Sequence, residues 1–193
     1  MQRSCGEPQL ALGAPIYFGD PGKVNTLIDQ ITYDRWANLR MIGVASELDP
    51  QKTKQCLRSS FPTIHETFVH ILWAEELWLE RWQSRSFVGS LDPEAFPTLE
   101  IVRAKLEDIH SKQLEFLQGI NPSAADQMVG YVNFQRQRWE YSLRQMVHHL
   151  VIHSAYHRGQ LATLLRQLGV VPPQADYLVF VDTKNPPGAP DHP

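Results

Sequence analysis

Residues 142 to 169, SLRQMVHHLVIHSAYHRGQLATLLRQLG, constrain this chain more than any other stretch. The run contains no proline and keeps a helical period for roughly seven turns. Ser142 stands where an N-cap belongs and Gly169 where a helix stops. With Leu150 as the zero of a helical wheel, Leu143, Leu161, Leu164 and Leu168 fall within about 40° of it, so one stripe is apolar. A helix of this length and pattern must lay its stripe against neighbours.

The neighbours are legible upstream. Val24, Leu27, Ile28, Ile31, Trp36, Leu39, Ile42 and Leu48 predict a first helix over about 21–48, with Asp20-Pro21 as N-cap and first position and Asp49-Pro50 as its end. A second helix is expected from Phe61-Pro62, behind Ser59 and Ser60 as caps, to about Ser84. Its stretch IHETFVHILWAEELWLERW is apolar almost all round, the pattern of a helix wedged between others. A third starts at Thr98 and carries Leu99, Val102, Leu106, Ile109, Leu114 and Leu117 before Gly119 and Asn121-Pro122. Between 129 and 142, VGYVNF and QRWEY resemble two short strands of a hairpin. The fold expected is all-α, an up-down four-helix bundle with a long crossover between the third and fourth helices and a short hairpin within it. The bundle is assigned to 20–182, residues 1–19 to an N-terminal arm, and 183–193, with KNPPGAP, to a flexible tail.

Composition narrows the function. A 193-residue chain, 42% hydrophobic, suffices for one continuous core. A net charge of −3 offers no footprint for nucleic acid or an anionic membrane, and no apolar run is long enough to span a bilayer. Cys5 and Cys56 form no CxxC, which excludes a disulfide scaffold and a four-cysteine zinc site and leaves Cys56 as a plain thiol. The N-terminal residues lack the apolar core of a signal peptide, so a cytoplasmic location is expected.

The chemistry concentrates in histidine. Four of the eight histidines, His148, His149, His153 and His157, fall on the last helix. His157 lies about 20° from the centre of its apolar stripe, His153 about 60°, His149 near 100° and His148 near 160°, outside. His153 and His157 are four apart, so both rings leave one face with Cβ atoms about 6 Å apart and can grip one metal ion. The plainer alternative is a pair of hydrogen-bonded core histidines, each then needing its own partner. A divalent ion needs at least a third protein ligand. On the second helix HETFVH approximates the HExxH zinc-protease motif, but its histidines are five apart, about 140° around the helix, and cannot chelate one ion. His70 is the better third candidate, sharing a face with Trp73, Ala74 and Leu77, whereas His65 points elsewhere. Glu66, one turn before His70, and His149 are nominees for outer support. Arg158 suits a salt bridge between helices or, less well, an anionic substrate; Gly159 in mid-helix suits close packing on a neighbour. Trp36 and Trp73 are core fillers and pocket walls, Asn38 orients a loop or a backbone turn, and Tyr33 and Tyr156 are candidates for hydrogen bonds near a metal.

The run HHLVIHSAYHRGQLATLLRQLGVVPPQADYL resembles the C-terminal signature of the DinB superfamily of metal-dependent proteins. YDRWAN at Tyr33–Asn38 is similar to that family's first-helix pattern, and HILWAE at His70–Glu75 to its second. The resemblance spans about 24–180. It implies a four-helix bundle holding a divalent metal on His70, His153 and His157. Relatives such as mycothiol-dependent maleylpyruvate isomerase carry Glu where His153 aligns, so that activity is not expected here.

Three neutral imidazoles leave an ion its full double charge and open positions, the pattern of a catalytic site. Such an ion lowers the pKa of bound water or thiol and polarises an electrophile. Because the superfamily includes transferases that use bacillithiol or mycothiol, the resemblance implies a transferase activating a low-molecular-weight thiol cosubstrate against a small electrophile. A metal-dependent hydrolase and a non-enzymatic metal-binding stress protein are the alternatives. Imidazole accepts Zn, Ni, Mn or Fe alike. Metal affinity is expected to fall as pH drops through the histidine range near 6.5. A homodimer is expected because Trp78 and Trp82 look exposed and superfamily members are often dimeric.

Overall fold

The computed structural model describes residues 22–86 and 92–184. The arm, the Asp20-Pro21 cap and most of the expected tail lie outside the described residues. Six helices and one hairpin follow in order: α1 (Gly22–Ser46), α2 (Pro50–Thr53), α3 (Ile64–Trp82), α4 (Leu99–Gly119), β1 (Met128–Val132), β2 (Arg138–Ser142), α5 (Leu143–Gln167) and α6 (Tyr177–Lys184). Among the described residues no helix is long and apolar enough to cross a membrane.

The long helices α1, α3, α4 and α5 make the expected four-helix bundle, with Ile31, Phe68, Ile71, Leu106, Met146 and Leu161 fully buried in its centre. α1 packs on α4 and α5, and α3 packs on the same two, so α1 faces α3 across the diagonal. Paired residues give the directions. Along α3 and α5, Trp78 meets His149 and His70 meets His157, so these helices are antiparallel. Along α3 and α4, Glu76 meets Lys105 and Trp82 meets Phe116, so these run the same way. The long crossover is expected from the sequence between the third and fourth long helices; here the second and third, α3 and α4, are the parallel neighbours, so the end of α3 and the start of α4 lie at opposite ends of the bundle.

Local chemistry sets the helix ends. The second long helix begins at Ile64 rather than at Phe61-Pro62, because Thr63, three residues after Ser60, is the N-cap: its hydroxyl accepts from the Glu66 N–H at 2.9 Å. The first helix ends at Ser46, two residues before the expected 48, and Asp49 instead starts the one-turn α2, its carboxylate accepting from the Gln51 N–H at 2.8 Å. Thr98 caps α4 as expected. Ser142 and Gln145 form a reciprocal capping box on α5, and Gly169, at φ 77°, closes that helix in a conformation that favours glycine.

The hairpin pairs Met128 with Ser142 and Val132 with Arg138, and its strand β2 leads directly into the α5 cap. It lies on α3: Tyr131 meets Trp78 edge-on and Phe134 stacks on Trp73, while the Arg81 guanidinium sits 4.2 Å from the Tyr131 ring. Trp78 and Trp82 are buried within this one chain, at 8% and 3% exposure. The aromatic surface that suggested a dimer is thus consumed by the hairpin and by Phe116. The YLVFV patch becomes α6, which buries Phe180 against Tyr33 and Trp36 and runs through Lys184, where the ammonium reaches Asp29 at 2.6 Å.

Candidate metal centre

The antiparallel packing of α3 and α5 brings His70 to the pair His153 and His157. The Nε2 atoms of His70 and His153 are 3.3 Å apart, and those of His157 and His153 are 3.2 Å apart. Two ligand nitrogens at 2.0–2.1 Å from a tetrahedral ion are separated by about 3.3–3.4 Å. His153 therefore stands from each of the other two rings at nearly the spacing that one ion requires, and all three donor atoms lie within 4.8 Å of one another.

Their surroundings keep the lone pairs available. Burial, with the neighbouring His157, lowers His70 to about 4. Burial lowers His153 to about 4 as well, with His157, His70 and His149 opposing a further positive charge. Burial also lowers His157, partly offset by its bond to Gln160. The His157 Nδ1–H donates to Gln160 Oε1 at 2.8 Å, and the Gln160 amide in turn donates to the Ser60 hydroxyl at 3.1 Å. That chain places the His157 proton on Nδ1 and leaves Nε2 facing the other two rings. Phe61 stacks on His70 at 4.4 Å and meets His157 edge-on, forming an apolar wall. Trp73 lies beside His70, and the exposed Tyr156 ring stands edge-on to His157.

Other sequence candidates distribute around this centre. His148 points away and meets Gln30 at 3.5 Å. His65 donates from Nε2 to the Phe96 carbonyl at 2.6 Å, a structural bond to the start of α4. His149 packs between Trp78 and His153, its ring stacked on that of His153 with centroids 6.1 Å apart. Glu66 Oε2 is buried with no hydrogen-bond partner among the described residues. Tyr33 donates to the Ala175 carbonyl at 2.9 Å. Cys56 is free and exposed. Gly159 is not a close-approach position, since a Cβ there would meet nothing within 4 Å.

A second polar cluster was not anticipated from sequence. Arg158 forms the expected interhelical salt bridge, to Asp34 at 2.5 Å, and also donates to Asn38 Oδ1 at 2.8 Å. Asn38, read as orienting a loop or turn, instead donates to Asp34 and Glu75 inside the core. Glu75 further accepts from the Ser154 hydroxyl and the Gln113 amide, both at 2.8 Å. Asp34, Glu75 and His110 also have donor atoms within 4.8 Å of one another, all buried. In this cluster, however, the Arg158 guanidinium already supplies a positive charge and the Glu75 oxygens are occupied by donors, so it reads as a hydrogen-bonded network. Burial raises Asp34 to about 7 against the opposing pull of Arg158, and burial lowers His110 to about 4. A signal for this network was present: Asp34 and Asn38 interrupt the apolar stripe Leu27, Ile31, Met41, Ala45, and Glu75 interrupts Ile64, Phe68, Ile71, Trp78, Trp82.

Comparison with known proteins agrees with this architecture. The chain is 22% identical over 162 residues to Protein DinB of Bacillus subtilis (strain 168), covering 77% of this chain and 90% of that one. It superposes on the crystal structure of a DinB-like protein from Bacillus cereus ATCC 10987 with a TM-score of 0.63, at 18% identity, covering 78% of this chain and 95% of that one. The family profile described as DinB family matches residues 23–190, nearly the whole bundle. The chain belongs to the DinB family.

Proposed function

We propose that His70, His153 and His157 hold one divalent ion and that the protein is a transferase activating a low-molecular-weight thiol. The observation that carries the metal reading is the convergence of three imidazoles, with His153 Nε2 at 3.3 Å from that of His70 and 3.2 Å from that of His157, and with burial opposing protonation of each ring. An ion on three neutral imidazoles supplies a Lewis-acidic double charge, which draws the pKa of a thiol toward neutrality. The chain's own groups do the rest. Gln160 fixes the tautomer of His157, and Phe61 excludes water from one side of His70 and His157. Trp73, Phe134 and Tyr156 offer apolar surface on which a small electrophile can rest. The thiol cosubstrate follows from kinship to the thiol transferases of the superfamily, with Zn, Ni, Mn or Fe as the ion.

The test is metal analysis of the purified protein followed by a screen of bacillithiol, mycothiol and glutathione against a panel of small electrophiles. Metal-dependent, thiol-dependent turnover that disappears in His157→Ala supports the transferase. Turnover with water alone would replace it by the hydrolase. Stoichiometric metal without turnover of any substrate would leave a metal-binding protein that is not an enzyme.

A further inference from the structure

The buried network beside the histidines has a regular relation to them. Each α5 ligand candidate is followed directly by a network residue: His153 by Ser154, and His157 by Arg158. Successive residues of a helix are about 100° apart, so α5 presents its histidines on one face and its anchoring groups on the next, with the same four-residue step in both. On α3, His70 stands five residues before Glu75, about 140° around the helix from it. Glu75 is fully buried and bonds to the other three long helices: to Asn38 on α1, Gln113 on α4 and Ser154 on α5. The Ser154 bond, at 2.8 Å, joins α3 to α5 immediately beside the place where His70 meets His153.

We infer that Glu75 is a positioning residue for the metal centre: through Ser154, and through Asn38 to Arg158, it fixes the rotation and axial register of α3 against α5 so that His70 reaches His153 and His157. This rests on the reading of the three histidines as ligands. The physical argument is one of specificity. Apolar layers above and below, with Phe68, Ile71, Leu150 and Leu161, are tolerant of small slides and rotations, because apolar contact has little directionality. A buried carboxylate whose oxygens must each meet named donors admits one register, since any other leaves it desolvated and unpaired. A single polar position in an apolar seam sets register in this way in coiled coils. A metal site tolerates only about 0.5 Å and 10–20° of error in its ligands, so α3 and α5 need such a fixture.

The experiment measures Co2+ affinity by chelator competition, with the visible Co2+ spectrum as a report of coordination geometry, in wild type, Ser154→Ala, Glu75→Leu, Glu75→Gln and Val102→Ala. Val102→Ala on α4 is the control for lost stability, since Val102 is fully buried and apolar. Ser154→Ala and Glu75→Leu are expected to lose about 10- to 100-fold in Co2+ affinity and to change the spectrum. Glu75→Gln keeps hydrogen-bonding capacity at both terminal atoms once the Gln113 amide turns over, and is expected to stay within about threefold of wild type, as is Val102→Ala. Wild-type affinity and spectrum in Ser154→Ala and Glu75→Leu would overturn the inference, and so would an equal loss in Val102→Ala. Should Glu75→Leu fail to fold, Ser154→Ala, which removes one hydroxyl, decides. A wild-type protein that binds no Co2+, or a His157→Ala variant that binds it undiminished, would instead overturn the ligand assignment itself.

Discussion

Lowering the pH from 7.5 to 5.5 separates the proposed metal centre from three ordinary histidines. With side-chain pKa values near 6.5, each imidazole would be about nine-tenths neutral at the upper pH and one-tenth at the lower, and three together would cost roughly 1,000-fold in metal affinity. Burial changes that expectation. The imidazolium form is the one penalised by desolvation, so the pKa falls and the lone pair stays free at lower pH. His70 and His153, both lowered to about 4, remain neutral at pH 5.5. His157 is lowered too, so its share is less than the tenfold of an unperturbed ring. The total loss between pH 7.5 and 5.5 is therefore expected to stay below about tenfold, with the steep decline moved toward pH 4 rather than 6.5. The same shifts act on the metal-free protein. His70 and His153 bind more protons in the unfolded chain than in the folded one between about pH 6.5 and 4, so the stability they contribute is lost as pH falls through that window, while the raised Asp34 acts in the opposite direction. Zn2+ affinity by competition with a chelator of known protonation constants, on protein shown by circular dichroism to stay folded, measures the effect. A loss near 1,000-fold at pH 5.5 would refute the argument that burial holds these rings neutral.

Other substitutions test the remaining readings. His157→Ala should abolish stoichiometric metal while His148→Ala leaves it unchanged, by elemental analysis of dialysed protein, because His148 faces Gln30 and not the centre. Gly159→Ala should raise stability by about 1 kcal/mol in chemical denaturation, since the added methyl group meets nothing within 4 Å and alanine is the better helix former; a loss would mean that Gly159 is needed after all. Phe68→Ala, at a fully buried position, should cost about 3–5 kcal/mol by the same measurement.

The sequence by itself determined the four long helices, the hairpin and the His153–His157 pair, because each depends on short-range rules. A period of 3.6 sorts apolar from polar faces, Thr98, Ser142 and Gly169 mark ends, and a spacing of four puts two rings on one face. The face shared with Trp73, Ala74 and Leu77 favoured His70 as third partner and the family resemblance implied the same residue, and the structure brings its Nε2 to 3.3 Å from that of His153. Three matters were decided only by the tertiary structure. The direction of α4 beside α3 depends on how the chain returns between them, which no helical period encodes. The burial of Trp78 and Trp82 depends on where the hairpin and α4 lie, and residues exposed on an isolated helix became core. The role of Glu75 depends on groups from all four long helices meeting in one layer. Read along its own helix it is a single acid in an apolar stripe, and its meaning comes from Asn38, Gln113 and Ser154, which lie far away in sequence and are brought to it only by the fold.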